Sequence, residues 1–526
     1  MVRFLRLLAA VSLLCSPALT AQLEPLGAPK GTLRFELGGL FQSADSRYFD
    51  GQRQDYLADF GGTDFGSNRM PFLARSDTLL GRVLGQSGYR LNLGRQRSNG
   101  QLTIGSGILG GSLGLTSRLT IFARVPLVTT RVQASLRLDS TTADAGLNPA
   151  HPTLGNALGQ SNAAAFFNTF DQALADLQAR ISGGTYAGNP ALDSLARDIA
   201  SRSGILRDQL AQVTNDPNVA SPFLPSAGSA TGQQLTAAIR GLSDTLVTTL
   251  GVGTALLDPV LAAGLLTSAE FTAFVADPLG PVGAFPLTES KISRAGDTEV
   301  GAIYTLIDRF DRPGTTGGFR LAVTGMMRLP TGQRDDPANL LDVGTGNGRY
   351  EVGVSGAADL GSRRWGIRLT GGYLVRLKTL RVRRVTSPDQ PYAPATTLTN
   401  IDLDAGDILS LGARPFYRLA RSLALSGSVE YWRAGNDAAS YSSAADAIPG
   451  VSARVLTAQS ARSAVALGGG LSYVGRAVRE CEANRRCGLP IDASWSYSTV
   501  IAATGGRVEK FRSTRLEIRW YQRLWR

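Results

Sequence analysis

Histidine, cysteine and lysine are scarce in this 526-residue chain, and their scarcity excludes several classes of function. The only histidine is His151, beside Pro152 in a predicted loop, so neither a histidine-ligated zinc site nor a serine–histidine catalytic pair on a strand is expected. The formal net charge is +12, yet no basic run is interleaved with aromatic residues, and a nucleic-acid partner is not expected. The sequence indicates no metal, no cofactor and no enzymatic activity.

The first 21 residues predict a secretory signal peptide, which is not part of the fold. Arg3 and Arg6 form its positive start, residues 7–14 are apolar, and residues 17–21 resemble a cleavage region. Cys15 raises the alternative of a lipoprotein, which the two leucines just before it disfavour.

Two cysteines remain in the exported chain, Cys481 and Cys487. Export leads to an oxidising compartment, in which closely spaced cysteines pair. A shared metal ion is the alternative, but no histidine lies nearby to complete a set of ligands. We therefore expect a small turn closed by a disulfide between Cys481 and Cys487.

Most of the remaining chain alternates between apolar and polar residues with a period of two. In residues 318–329, Phe319 and Leu321 lie on one face and Arg320 and Arg328 on the other. A strand of about ten residues with one apolar and one polar face is the spanning unit of a transmembrane barrel. Twelve such segments occur, at residues 32–42, 101–115, 119–133, 298–307, 318–329, 349–360, 365–380, 407–419, 422–433, 464–474, 491–503 and 512–524.

The connections between these segments alternate in length. Connections after the second, sixth and eighth segments are very short, at residues 116–118, 361–364 and 420–421. The fourth segment is followed by a modest turn and the tenth by the cysteine-containing turn, whereas connections after odd-numbered segments are mostly much longer. Outer-membrane barrels show this sorting, with short periplasmic turns and longer extracellular loops. A sheet in lipid must also close, because an open edge leaves backbone groups unpaired. The predicted fold is all-β: a closed antiparallel transmembrane barrel of about 12 strands in the cell outer membrane, with outer-membrane lipid and the assembly machinery as partners.

Residues 139–296 interrupt the strand pattern. Apolar residues recur at helical spacing in residues 166–181 and 235–250, and residues 267–270 form a capping box. We expect a large α-helical insertion in one extracellular connection. Barrel strands one to three would then occupy residues 22–138, with a long loop at 43–100, and strands four to twelve residues 297–526.

One stretch of the insertion, residues 246–266, is apolar enough to suggest a membrane helix. Pro259 and several glycines interrupt it, so a buried pair of helices is the favoured interpretation.

Three stretches together carry a resemblance to a known family. They are GLTSRL at residues 114–119 leading to VP at 125–126, then GDTEVG at 296–301, and then LPTG at 329–332. In their order and spacing they resemble the outer-membrane barrel family associated with phenol-degradation operons, which is distantly similar to long-chain fatty-acid transporters. The resemblance implies passage of small, often hydrophobic compounds across the outer membrane. It does not cover the helical insertion.

If the apolar faces meet lipid, the charged residues of the polar faces point into the lumen. The candidate pore-lining residues are Arg34, Glu36, Arg124, Glu299, Arg320, Arg328, Glu351, Arg368, Arg376, Arg414, Glu430, Glu517 and Arg519. Two interpretations stay open, because unpaired charges are costly to bury. The residues line an arginine-rich conduit, or they form ion pairs that fill a narrow barrel.

The sequence predicts an outer-membrane channel or facilitated transporter for small solutes, with hydrophobic or aromatic compounds implied by the resemblance. A charged lumen suits polar or anionic solutes better, which leaves the solute open. The alternative is a non-conducting surface barrel whose helical insertion acts as an adhesin or a partner receptor.

Overall fold

Twelve antiparallel strands form one closed sheet in the computed structural model, which describes residues 26–310, 317–362, 364–420, 422–475 and 490–525. The predicted signal peptide and the Cys481–Cys487 pair lie outside these residues. The barrel strands are β1 (Thr32–Ala44), β2 (Arg95–Gly114), β3 (Leu119–Asp139), β4 (Thr298–Asp308), β5 (Gly318–Leu329), β6 (Glu351–Gly361), β7 (Trp365–Arg376), β8 (Ile408–Arg418), β9 (Leu423–Ala434), β10 (Arg462–Val474), β11 (Ile491–Gly505) and β12 (Arg512–Arg523).

Each strand pairs with its neighbours in the chain, and the first strand pairs with the last. The β1–β12 ladder runs from Thr32 opposite Arg523 to Ser43 opposite Arg512. No barrel edge is left open between the described strands, which satisfies the backbone hydrogen bonds as lipid requires. The predicted closed barrel of twelve strands is confirmed.

The two ends of the barrel differ. The turn end carries the connections 115–118, 309–317, 362–364, 419–422 and 475–490 and both ends of the described chain. The loop end carries the connections 45–94, 140–297, 330–350, 377–407, 435–461 and 506–511.

Five α-helices lie in the loop-end connections: α1 (Ala74–Val83), α2 (Ala157–Ser182), α3 (Pro190–Thr214), α4 (Ala230–Asp244) and α5 (Ser268–Ala276). The capping box predicted at residues 267–270 is present, with Thr267 capping α5 and Glu270 bonding back to it. Helices α2, α3 and α4 pack together around Phe166, Leu210 and Leu235. No helix in the described part of the chain is long and apolar enough to cross a membrane.

The predicted helix pair at residues 246–266 is wrong. Helix α4 ends at Asp244 and continues as one π-helical turn, Thr245–Thr249. Gly251 then adopts a φ of +69°, which favours glycine, and the chain to Leu266 is irregular.

The insertion ends in a strand. Glu289–Ala295 pairs with Leu127–Gln133 of β3, while β4 pairs with the preceding part of β3, Leu119–Arg124. The chain bends between these two strands at Gly296 and Asp297. Three smaller sheets also lie at the loop end. One is formed by Thr379–Arg384, Leu398–Asp404 and Ala438–Tyr441, and a second by Ser46–Phe49, Gln52–Asp55 and Val508–Glu509. The third pairs Ala145–Leu147 with Phe223–Pro225.

Strands β2 and β3 are 20 and 21 residues long, whereas about ten residues suffice to span a membrane. Their loop-end halves pack against an apolar core that we call the cap core. Residues 56–93, α5 and three other loop-end connections supply most of its side chains. Its members include Leu57, Phe65, Leu73, Leu80, Leu93, Leu102, Ile104, Val132, Phe271, Phe274, Leu341, Tyr392 and Phe511.

Candidate functional site

The polarity of the barrel wall distinguishes lipid from lumen. Along β1, Arg34 and Glu36 are 1% and 5% exposed, whereas Phe35 and Leu37 beside them are 46% and 55% exposed. The other strands alternate in the same way, and large apolar side chains such as Leu369, Leu425 and Leu516 face outward. A closed barrel that is apolar outside and polar inside is stable only in lipid, and such barrels belong to outer membranes. This chain is an outer-membrane β-barrel.

Aromatic side chains mark the turn-end rim of the apolar band. Trp365 and Trp520 are exposed, and each packs on a neighbouring outward ring, Tyr417 at 4.8 Å and Phe35 at 6.0 Å between centroids. Tryptophan and tyrosine prefer the membrane interface because their rings are amphipathic.

All thirteen candidate residues lie on the inward faces of their strands, and most belong to ion-pair clusters. In the first cluster Glu36 bridges two arginines, with Arg34 and Arg124 each 2.7 Å from a carboxylate oxygen. Ser112 accepts a further hydrogen bond from Arg34 at 2.9 Å. Arg34 and Glu36 lie on β1, Ser112 on β2 and Arg124 on β3, so the cluster crosses three strands.

Two more clusters fill the lumen beside β4 to β7. Arg328 pairs with Glu299 at 2.9 Å and also with Glu351. Closer to the turn end, Arg320 and Arg368 share the fully buried carboxylate of Asp359, at 2.5 and 2.6 Å. Each of these two clusters lies on three neighbouring strands, which is what period-two alternation in register produces.

Four of the remaining candidates form two smaller pairs, and one stands apart. Arg414 lies 3.1 Å from Glu430, and Arg519 lies 2.7 Å from Glu517. Arg376 sits at the loop end of β7, where its Nε donates to the carbonyl of Gly406 at 2.6 Å.

The connection 330–350 folds inward at the loop end of the lumen, and residues 341–348 are all buried. The carboxylate of Asp297 anchors it, accepting backbone hydrogen bonds from Gly332 at 2.9 Å and Asn347 at 2.6 Å. A side chain at Gly332 would place its Cβ 2.6 Å from the Cα of Gly346, so glycine is required there. Thr331 completes the anchor by donating to the carbonyl of Gly296 at 2.7 Å. The GDTEVG and LPTG motifs thus meet at one point of the structure.

Outside the membrane, Asp335 of the same connection pairs with Arg383 and Arg381. Burial by itself raises the pKa of the Asp335 carboxyl, but the two guanidinium groups outweigh it and hold the pKa below its ordinary value. The inward connection is therefore fixed at both Asp297 and Asp335.

Two of the cavities in the described part of the barrel lie next to each other in the lumen, and Thr345 and Asn347 of this connection line the larger one. The larger encloses about 70 Å³ and has an apolar wall of Leu40, Ile108, Pro126 and Val128. Its polar wall comprises Glu36, Ser106, Arg124, Asp297, Glu299, Thr345, Asn347, Arg515 and Glu517. The smaller encloses about 20 Å³ and is lined by Arg414, Ser426, Ser428, Gly469, Gly470, Ser494, Ser496 and Arg515, among others. Arg515 lines both cavities.

Arg515 lies in a row of inward residues that crosses six strand pairings. The row, which we call the Arg515 row, is Ser426, Gly470, Ser496, Arg515, Leu40, Ser106 and Val128. Arg515 is its only charged member. Within the described part of the chain, its guanidinium has no hydrogen-bond or ion-pair partner, unlike the clustered arginines.

The sequence interpretation missed Arg515 and Asp359. The period-two spacing could have identified both residues. Arg515 lies on the same strand face as Glu517 and Arg519, and Asp359 lies on the same strand face as Glu351. Among the residues that the structure describes, no group of three or more histidine, cysteine or carboxylate side chains is arranged to hold a metal ion.

Several solved barrels are similar to this chain at low identity. An outer membrane channel from Pseudomonas putida F1 shows 10% identity and a TM-score of 0.41, with 94% of this chain and 96% of that chain covered. The transport unit of the autotransporter AIDA-I from Escherichia coli shows 6% identity and a TM-score of 0.34, covering 97% and 95%. The Pseudomonas putida toluene transporter TodX shows 11% identity and a TM-score of 0.27, covering 100% and 95%. No protein-family model and no curated protein sequence matches this chain.

Proposed function

We propose that this barrel is a channel for small solutes across the outer membrane, with the loop end extracellular and the thirteen charged candidates lining the lumen. The single observation that carries the proposal is the uneven filling of the lumen. Ion pairs fill the side next to β4–β7, whereas the middle of β9, β10 and β11 presents serine and glycine inward, with Glu430, paired to Arg414, as the charged exception on β9. The smaller cavity lies along that small-residue wall, whereas the larger lies next to β12, β1, β2 and β3; Arg515 lines both. Solutes would therefore pass off the barrel axis, beside β9 to β12 and the adjoining β1 to β3.

The proposal extends to family and partners. The contact between the GDTEVG and LPTG motifs at Asp297 gives a physical reason for their joint occurrence, and this supports a distant relation to the barrel family associated with phenol-degradation operons. Hydrophobic or aromatic solutes are accommodated by the apolar wall of the larger cavity. The apolar outer band requires lipid, and insertion would rely on the outer-membrane assembly machinery.

Narrowing the small-residue wall tests the conduit. Ser428 faces the smaller cavity, and Val429 next to it faces lipid. We expect Ser428→Trp to lower single-channel conductance in planar bilayers several-fold, because the indole occupies the lumen, and Val429→Trp to leave it unchanged. If the folded wild-type barrel carries no current, or if both variants conduct like the wild type, the conduit does not lie there.

The cap core supports the alternative, a non-conducting barrel whose helical insertion binds a partner, because an apolar core above the lumen hinders solute entry. The amide of Leu266 donates to the carbonyl of Ala145 at 3.2 Å, so the two chain ends of the α2–α4 unit are adjacent and the unit can be replaced by a short linker. The replacement also removes Val213, Phe223 and Leu224 from the cap core. Replacing residues 148–265 with a short glycine linker should leave or raise conductance if the barrel is a channel. Loss of cell or partner adhesion, with no current in either protein, would favour the alternative.

A further inference from the structure

Arg515 occupies a position at which an uncompensated charge is costly. Its neighbours in the Arg515 row are Ser496 and Leu40, which carry no charge. Most acids that line the same cavity have other partners: Glu36 pairs with Arg34 and Arg124, Glu299 with Arg328, and Asp297 with backbone amides. Glu517 is hydrogen-bonded to Arg519 and also attracts Arg515 electrostatically. A guanidinium that is partly removed from water and has no hydrogen-bonded counter-ion among the described residues gains free energy from an anion that binds it directly.

The wall next to the charge is largely apolar. Leu40 adjoins Arg515 across the β1–β12 ladder, and Val128 closes the same row two strands further on. Ile108 and Pro126 extend this wall by one row toward the turn end. A ligand held here meets a cation on one side and aliphatic carbon on the other.

The size of the cavity limits the ligand. Its 70 Å³ holds about five water molecules, since each needs roughly 10–15 Å³ of space measured in this way. Five waters take up about 150 Å³ of liquid, roughly the volume of one six-membered ring bearing a carboxyl group. Ser106 lines the same cavity two strands away from Arg515, and its hydroxyl can donate to a second carboxylate oxygen.

We propose that Arg515 and the apolar wall of Leu40, Ile108, Pro126 and Val128 form a binding site for a small amphipathic carboxylate, such as a monocyclic aromatic acid. The site deepens the proposed channel function, on which its role in transport rests, by naming the solute class. Arg515 binds the carboxylate and the aliphatic wall binds the ring. A solute with both features reconciles a charged lumen with an apolar cavity.

Equilibrium binding tests the site without requiring conduction. The probe is benzoate, titrated calorimetrically into the full-length barrel in detergent, with acetate and benzyl alcohol as the probes that lack the ring or the charge. We expect wild-type protein to bind benzoate at least about tenfold more tightly than either, since a hydrogen-bonded charge pair and a buried ring both contribute. Equal binding of acetate would indicate a simple anion site, and equal binding of benzyl alcohol a neutral apolar pocket; either result overturns the proposal.

Variants assign the two halves of the site. Arg515→Gln should weaken benzoate binding about tenfold or more, while Arg433→Gln, which removes an exposed arginine from β9, should leave it unchanged. Leu40→Ser should weaken benzoate several-fold and leave acetate unaffected. Benzoate affinity that is the same in wild type and Arg515→Gln overturns the site, as does an absence of benzoate binding to the folded wild type. Bilayer currents are measured separately, so a barrel that binds benzoate but does not conduct contradicts the channel and not the binding site.

Discussion

The two halves of the β2–β3 hairpin are built from one continuous pair of strands, yet their polarity is reversed. In the membrane half, Leu109 and Val125 face outward and Arg124 faces the lumen. In the loop half, Arg97 and Arg131 face outward, and Leu102 and Val132 are buried in the cap core. The inversion falls near Gly105 and Val128, within a few residues of the cavity. The solvent outside the strand, lipid or water, decides which face carries the apolar side chains.

The comparison shows that the two halves are stabilised differently. Apolar side chains in the membrane half gain no hydrophobic free energy from the fold itself, because they contact lipid in place of a protein core. Stability there comes from the closed ladder of backbone hydrogen bonds and the paired charges inside. The loop half behaves like a water-soluble domain, in which burial of apolar surface is the main stabilising term.

The largest effect that separates the halves should come from Phe271→Ala. Phe271 is 1% exposed and lies 5.1 Å from both Phe65 and Tyr392, ring centre to ring centre. Truncating a buried phenylalanine costs about 3–5 kcal/mol, so amides in residues 56–93 should exchange with solvent much faster. Amides of β5 to β12 should keep their protection in the same exchange experiment.

A matched truncation, Phe285→Ala, removes a half-exposed ring near the cap and should change exchange little. If Phe271→Ala instead accelerates exchange throughout the barrel, the cap and the barrel unfold as one unit and the division into halves fails.

A second test introduces an arginine on the outward face of β3 at two positions along the barrel axis. Val125→Arg puts a guanidinium in the middle of the lipid-facing band, which costs about 2–4 kcal/mol of unfolding free energy in a transmembrane barrel. Ser135→Arg, ten residues further along, lies on the water-facing half and should change it by no more than about 0.5 kcal/mol. Urea unfolding in lipid vesicles, followed by tryptophan fluorescence, measures both. Equal costs would place the membrane boundary beyond Ser135.

The hairpin also shows what the sequence could predict. Period-two alternation located all twelve strands, because in every spanning segment the apolar face is also the lipid face. The extra residues 95–100 and 134–139 of β2 and β3 were missed since the sense of the alternation reverses there. The cap core was missed for a different reason: Leu57, Phe65 and Leu80 belong to an irregular chain and one short helix, so no period reveals that they are buried together.

The candidate site was predictable to the extent that it depends on strand faces. The spacing of two places all thirteen charged residues inside once the barrel is known. Which charge is paired and which is not depends on register across strands, and register cannot be read from one strand. The pairing of Asp359 with two arginines, and the absence of a hydrogen-bonded partner for Arg515 among the described residues, therefore required the structure.

The smallest expected effect is a change in how the stability of the cap depends on pH. Asp77 of α1 is buried, which raises the pKa of its carboxyl, although bonds from Ser67 and from the amide of Leu91, at 2.9 Å, oppose the shift. Arg90 lowers this pKa and Asp144 raises it further. A carboxyl whose pKa is higher in the folded state than in the unfolded chain binds its proton more tightly when folded. The stability that protonated Asp77 contributes to the fold is therefore fully present below the unfolded pKa of 3.8. This stability is lost as the pH rises through the higher pKa of the folded state.

Asp77→Asn keeps an oxygen to accept from Leu91 and removes the charge, so the cap should become more stable at pH 7 and lose part of its pH dependence. The urea midpoint of the helical circular dichroism signal, measured from pH 4 to pH 8, reports on the helical cap and insertion in preference to the β-barrel. The exposed Asp64→Asn serves as the control and should leave the profile unchanged. If Asp77→Asn also changed the pH dependence of barrel unfolding, the charge of Asp77 would affect the stability of the membrane half as well as the cap. The two halves would then not be energetically separate.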